Sequence, residues 1–189
     1  MPNTVAFLRA INVGGHVVRM ADLKKAFEML GLAEVETFIA SGNVVFRSNV
    51  KNHAALEMKI ERALERALGY AVPTFLRSCD DLAAIAATTP FAAAEHAVAQ
   101  AFVVGLLKAP LPVDQAARVL AFNSEMDAFH VSGREVYWLC RCKQSESTFS
   151  NAVFERSLRV PSTWRGISTM QKMAAKYARG RALPPRRSR

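Results

Sequence analysis

The sequence predicts an α+β protein built from two ferredoxin-like β-α-β-β-α units in tandem, with mostly antiparallel sheets and helices on one face. Three observations predict it. Apolar runs of strand length alternate with segments of helical spacing in the same order in both halves. A Ser-Gly pair joins two β-rich runs in each half, at Ser41-Gly42 and again at Ser132-Gly133. The halves also echo each other in residues, "IASGNVVF" at 39–46 against "HVSGREVY" at 130–137 and "AFL" at 6–8 against "AFV" at 101–103.

Val5 to Val13 is nearly all apolar and reads as a buried central strand. Met20, Leu23, Phe27 and Leu30 keep a helical spacing, with Gly31 placed to stop the helix. "VETFIA" and "NVVFRS" flank Ser41-Gly42 as a hairpin. Leu56, Ile60, Leu64 and Leu68 step by four along a second helix that ends near Gly69. "AVPTFLRS" reads as an edge strand, where Pro73 costs no ladder bond. Ser78 then opens a connecting helix, with Asp81 three residues on in the spacing of a capping box. The pattern restarts after Pro90: a strand in "AQAFVVGLLK", a helix in "VDQAARVLAF", a hairpin in "FHVSGREVYWLCRC" and a helix in "FSNAVFERSL". "STMQKMAAKYARG" closes the series as a helix from Ser168, capped through Gln171 and stopped at Gly180. Val5, Phe7, Leu8, Ile11, Val44, Phe46, Phe102, Val104, Val136 and Trp138 are the expected core. The division expected is a first unit over 1–78, a connecting helix and linker over 79–98, a second unit over 99–179 and a disordered tail over 180–189.

The 189 residues carry a net charge of +9, unevenly spread. All 16 acidic residues lie at or before Glu155, against 15 of the 25 basic ones. The remaining ten basic residues lie after it, so a near-neutral body ends in a strongly basic segment. No apolar window is long enough to span a membrane, and no secretory signal is expected, since the opening residues lack a basic n-region and Arg9 interrupts their apolar run. Three cysteines do not make a disulfide framework, and they fit a reducing cytoplasm.

"FLRAINVGGHVVRMADLKKAFEMLGL", "VETFIASGNVVFRS" and "STFSNAVFERSLRVP" resemble the bacterial family called domain of unknown function 1697, from about Val5 to about Tyr177. The resemblance implies a cytoplasmic bacterial α+β protein and implies no activity. Two departures from the family pattern stand out. The family reads Arg-Gly-Ile-Asn-Val-Gly-Gly where this chain has Ala10 for the first glycine. The family's Arg-Asn-Trp-Asn-Thr is here Arg165-Gly166-Ile167-Ser168-Thr169, with the following Lys172 in place.

When the third strand of a β-α-β-β unit lies between the first two, those two run parallel. The end of the first strand then meets the hairpin turn at one edge. That geometry gathers Asn12, Gly14 and Gly15 beside Ser41, Gly42 and Asn43. Amides freed by glycine conformations can form an anion-binding concavity there, with Arg9 and Lys172 as the expected charges. The same residues are also explained by turn chemistry alone. Strand alternation sets Arg9 and Asn12 on opposite faces. The glycines match neither G-x-G-x-x-G nor the P-loop, and no cofactor is implied. Cys140 and Cys142 share a strand face as fillers, and four scattered histidines, His16 beside the glycines among them, give no metal set. Lys176, Arg179, Arg181, Arg186, Arg187 and Arg189 are the expected nucleic-acid contacts. The function expected is non-enzymatic binding of an anionic ligand, a nucleic acid or a nucleotide. The alternatives are an enzyme acting on a small phosphorylated or carboxylated metabolite at the same edge, and a homo-oligomeric assembly module.

Overall fold

Thr4, Val5 and Phe7 favour the extended backbone, and Asn3–Leu8 forms strand β1 at the centre of the first sheet. The structure, a computed structural model, describes residues 2–12, 17–39 and 42–177. β1 is followed by α1 (Met20–Glu28), β2 (Ala33–Phe38), β3 (Asn43–Arg47), α2 (His53–Leu68) and β4 (Thr74–Ser78). The sheet order is β2-β3-β1-β4, and every pairing is antiparallel. α2 opens on Asn52, whose side chain accepts the Ala55 amide at 3.0 Å, and stops at Gly69 in the left-handed conformation. Its Leu56, Ile60 and Leu64 are buried with Leu23 and Phe27 of α1 against Ala6, Leu8, Val44 and Phe46 of the sheet.

β1 is shorter than its apolar run. It ends at Leu8 because Ala10 takes a φ of 56°, which turns the chain out of the sheet. Arg9 and Asn12 therefore lie beyond the pleat, and the alternation expected to part them does not reach them. The family's preference for glycine at this position has its physical reason here, since the left-handed region favours a residue without a Cβ.

Ser78 and Asp81 form the expected capping box at 3.0 and 2.9 Å and open α3 (Cys79–Ala87). A short α4 (Ala93–Val98) leads into β5 (Ala101–Leu106), α5 (Val113–Leu120), β6 (Asp127–Ser132), β7 (Glu135–Cys140) and α6 (Asn151–Leu158). Within its expected span the second unit adds a strand that the sequence reading lacks, β8 (Thr163–Gly166), which pairs with β5 as β4 pairs with β1. The order β6-β7-β5-β8 repeats that of the first sheet. β8 passes directly into α7 (Ile167–Tyr177), so Ser168 sits inside the helix rather than capping it. Of the expected core, all but Phe102 are buried, and Phe102 is half-buried against Phe91 and His96.

α1 and α2 cover one face of the first sheet, and the second sheet carries a matching aromatic-rich core beneath Val119 of α5 and Phe154 and Leu158 of α6. The opposite faces share one cluster. Val5, Phe7, Val45 and Phe75 of the first sheet and Val104, Leu106 and Tyr137 of the second enclose Leu82 and Ile85 of α3 with Met170 and Met173 of α7.

Candidate functional site

The units are joined by two arginines that occupy equivalent places. Arg77 of β4 pairs in register with Val5, and Arg165 of β8 with Val104. The Arg77 Nε donates to Glu135 at 2.7 Å, its Nη1 to the Leu76 carbonyl at 2.8 Å, and its Nη2 to the Leu107 carbonyl at 2.9 Å. The Arg165 Nε donates to Asn43 at 2.8 Å, its Nη1 to the Trp164 carbonyl at 2.9 Å, and its Nη2 to the Leu8 carbonyl at 2.9 Å. Each guanidinium thus reaches across to the end of the other unit's first strand and first residue after the hairpin. Burial pushes Arg165 down to about 10, and burial outweighs the Glu135 carboxylate in lowering Arg77 as well. The equivalence extends outward. Lys108 pairs with Glu61 at 2.5 Å while Glu61 accepts the Thr74 amide at 2.7 Å, and Arg9 pairs with Glu155 while Glu155 accepts the Ser162 amide at 2.7 Å.

At the first sheet the expected edge forms. The Leu8 amide donates to the Gly42 carbonyl at 2.8 Å, and Asn43 faces Phe7 in register. Gly42 has a φ of 75°, and a Cβ there would lie 2.8 Å from the Ile11 Cγ2 and 3.3 Å from the Leu8 carbonyl oxygen. Only glycine lets the hairpin close on the strand end. Asn43 is fully buried and donates to the Phe38 carbonyl at 3.1 Å. Asn12 accepts the Val18 amide at 2.9 Å, bridging the loop that it opens, and Tyr70 holds the Ile11 carbonyl at 2.9 Å. Among the candidate ligands, Arg9, Asn12, Gly42 and Asn43 do converge on this end. Gly14, Gly15, His16 and Ser41 lie outside the described residues, as do Arg179, Arg181, Arg186, Arg187 and Arg189.

α7 brings its last turn to the same sheet. Lys176 pairs with Glu36 of β2 and lies 4.9 Å over the Tyr177 ring and 5.9 Å over the Phe38 ring. That contact raises Lys176 and lowers Glu36. Tyr177 meets Phe38 edge-on at 5.9 Å. Lys172 is exposed one turn earlier on the same face of the helix. The last described turn of α7 therefore lies beside the last residue of β2, at the end of the sheet that carries the hairpin turn.

The twin end of the second sheet is built differently. There the strand-to-helix connection is only residues 107–112, where the first unit uses 9–19, and Ser132 and Glu135 are direct register partners across a two-residue turn. Gly42 and Arg134 are the structural equivalents, each accepting the amide at the end of a first strand. The residue alignment that matches Gly42 to Gly133 is thus one place out of register. A carboxylate, Glu135, stands where the first unit has the Asn43 amide.

The sequence singled out neither Arg77 nor Arg165 as a partner of this edge, since a lone arginine in an apolar strand carries no spacing signal. Among the described residues no three His, Cys, Asp or Glu side chains converge as a metal set, and no helix is long and apolar enough to cross a membrane. Cys140 and Cys142 both pack with the second unit's outer core, although Cys142 lies beyond the strand.

The fold defines a duplicated α+β protein with one elaborated sheet end. The chain belongs to the family described as protein of unknown function DUF1697, whose model matches residues 1–137. That match ends inside β7, short of the "STFSNAVFERSLRVP" stretch. The conserved bacterial protein SP0830 from Streptococcus pneumoniae is similar over 92% of this chain and 97% of its own, at 27% identity and a TM-score of 0.71. No curated protein matches the chain.

Proposed function

We propose that this protein binds phosphate-bearing anions without turning them over, a nucleic-acid strand foremost and a nucleotide through the same loops. One observation carries the reading. The two units share one strand order and matched arginine and carboxylate contacts, yet the first departs from its twin in three ways at a single sheet end: a longer strand-to-helix loop, a longer hairpin turn and an amide in place of a carboxylate. The twin makes the same connections with a short proline-containing loop and no glycine pair, so closing the fold does not by itself require Gly14 and Gly15. Exchanging the Glu135 carboxylate for the Asn43 amide removes a negative charge that would repel an anion.

In this reading Gly14, Gly15, Ser41 and Gly42 supply backbone amides, and Asn12 and Asn43 brace the loops that present them. Arg9 shares its charge between Glu155 and the ligand, and Lys172 adds a solvent-facing cation. Lys176, Arg179, Arg181, Arg186, Arg187 and Arg189 extend the basic track from the same end. Phosphate contacts of this kind supply affinity and little sequence preference.

Fluorescence anisotropy with a labelled duplex, measured across salt concentrations, tests the proposal. The logarithm of the binding constant should fall with the logarithm of salt at about −0.9 per phosphate neutralised, with about three to six contacts in all. Deleting residues 180–189 should flatten that slope and leave the melting temperature of the body unchanged. Full-length protein that binds neither DNA nor RNA at low salt, where screening is weakest, refutes the nucleic-acid reading.

A further inference from the structure

β7 ends at Cys140, and the chain bends there before Cys142. The bend folds Cys142 back: the Cys140 thiol donates to the Cys142 carbonyl at 3.1 Å, and the two sulfurs stand 3.6 Å apart. Along a straight strand, residues two apart put their Cα atoms near the upper limit that a disulfide spans. The bend shortens that path. Bonding the sulfurs needs them to close from that contact to about 2.05 Å.

We propose that Cys140 and Cys142 form a dithiol site that is oxidised by small-molecule disulfides. The two thiols are placed for different steps. Cys142 is half-buried and meets the oxidant, whereas Cys140 is buried in the cluster that also holds Trp138 and Phe149. The Cys142 thiolate attacks one sulfur of the small disulfide, forming a mixed disulfide and expelling one thiolate. The Cys140 sulfur, losing its proton to solvent, then attacks the Cys142 sulfur and expels the second thiolate. Two protein thiols are oxidised, one small disulfide is reduced to two thiols, and the bond formed is Cys140–Cys142. Burial pushes the Cys140 thiol up to about 12, so the second step is the slow one and the mixed disulfide on Cys142 accumulates first. Cys79, at the start of α3, has its thiol pushed up by burial and by Asp80, and it belongs to a different part of the fold.

The test incubates the native full-length chain with oxidised glutathione, blocks free thiols and maps the peptides by mass. The expected result is early glutathionylation of Cys142, followed by loss of two hydrogens from the peptide that holds Cys140 and Cys142. Tryptophan fluorescence, from Trp138 and the adjacent Trp164, should fall as the bond forms and recover with reductant. Cys142→Ser should show neither change, Cys140→Ala should stop at the mixed disulfide, and Cys79→Ser should behave as the parent chain. A disulfide that involves Cys79, a parent chain that stops at the mixed disulfide, or thiols that stay free throughout would each overturn the proposal.

Discussion

Glu135 closes the twin end by pairing with Arg77, and its removal gives a measurable loss. The Arg77 side chain is fully buried, the Glu135 side chain is 16% exposed, and the Nε–Oε1 distance is 2.7 Å. Glu135→Ala leaves the guanidinium with two carbonyls of the other unit and its own Leu76 carbonyl, with no carboxylate bonded to it and only the weaker pull of Asp81 to balance its charge. Breaking a buried pair from one side costs about 3–5 kcal/mol. At about 2–4 °C per kcal/mol for a chain of this length, the melting temperature should fall by roughly 6–20 °C. Glu135→Gln is the sharper perturbation, because it recreates the amide acceptor that Arg165 finds in Asn43. It exchanges a charge-assisted hydrogen bond for a neutral one, a loss of about 1–2 kcal/mol. Urea melts of the three proteins, with the m-value watched for constancy, measure both differences. A Glu135→Ala loss below about 1 kcal/mol, or a Glu135→Gln loss equal to it, would refute the view that these arginines clamp the two units.

Three further outcomes follow from local geometry. Ala10→Gly should stabilise the fold by roughly 0.5–1 kcal/mol in urea melts, since it relieves a left-handed alanine but loosens the unfolded chain. Gly42→Ala should cost more than Gly133→Ala in the same assay, because both have positive φ but only the first would set a Cβ against Ile11 and Leu8. Burial raises the pKa of Glu57, which accepts the Leu76 amide at 2.8 Å, so its ionised form opposes folding. The folded protein binds that proton more tightly than the unfolded chain does. Its contribution is therefore present in full below the ordinary carboxylate pKa and is lost as the pH rises through the raised one. Glu57→Gln should melt above the parent at neutral pH, with the gap closing on acidification. A gap that persists unchanged at low pH would show that ionisation is not its cause.

Much of the framework was legible in the residues because it rests on strong local signals. The four-residue stepping from Leu56 to Leu68, the Ser78–Asp81 box and the hairpin glycines Gly42 and Gly133 each state a structure within a single window. β8 was not legible for the complementary reason. Four residues, Thr163–Gly166, are too few to show alternation, and they become a strand only because β5 offers an open edge. The early end of β1 was hidden because an apolar run does not reveal the φ of one alanine inside it. At the candidate site the convergence of the strand end and hairpin turn follows from topology, so Asn12, Gly42 and Asn43 could be placed together in advance. Arg165 could not, since its contact with Asn43 joins residues from opposite halves of the chain and depends on how the two sheets face each other. The repeat was visible in the echoed turns, but its register was not. The extra turn residues of the first hairpin shift the true equivalence by one place, and only the paired amides at Leu8 and Leu107 reveal it.

On the proposed reading, the elaborated end of the first sheet takes phosphate and its twin does not. The molecule carries its own control, because each end has a hairpin whose carbonyl accepts the amide at the end of a first strand. A titration of ¹⁵N-labelled protein with inorganic phosphate, followed by amide NMR at fixed ionic strength, compares the two ends in one tube. The amides of Gly14, Gly15, Gly42 and Asn43 should move together along one saturating curve, while those of Gly133 and Arg134 stay still. Equal shifts at both hairpins, or no shift at Gly42 when phosphate reaches millimolar excess, would contradict it.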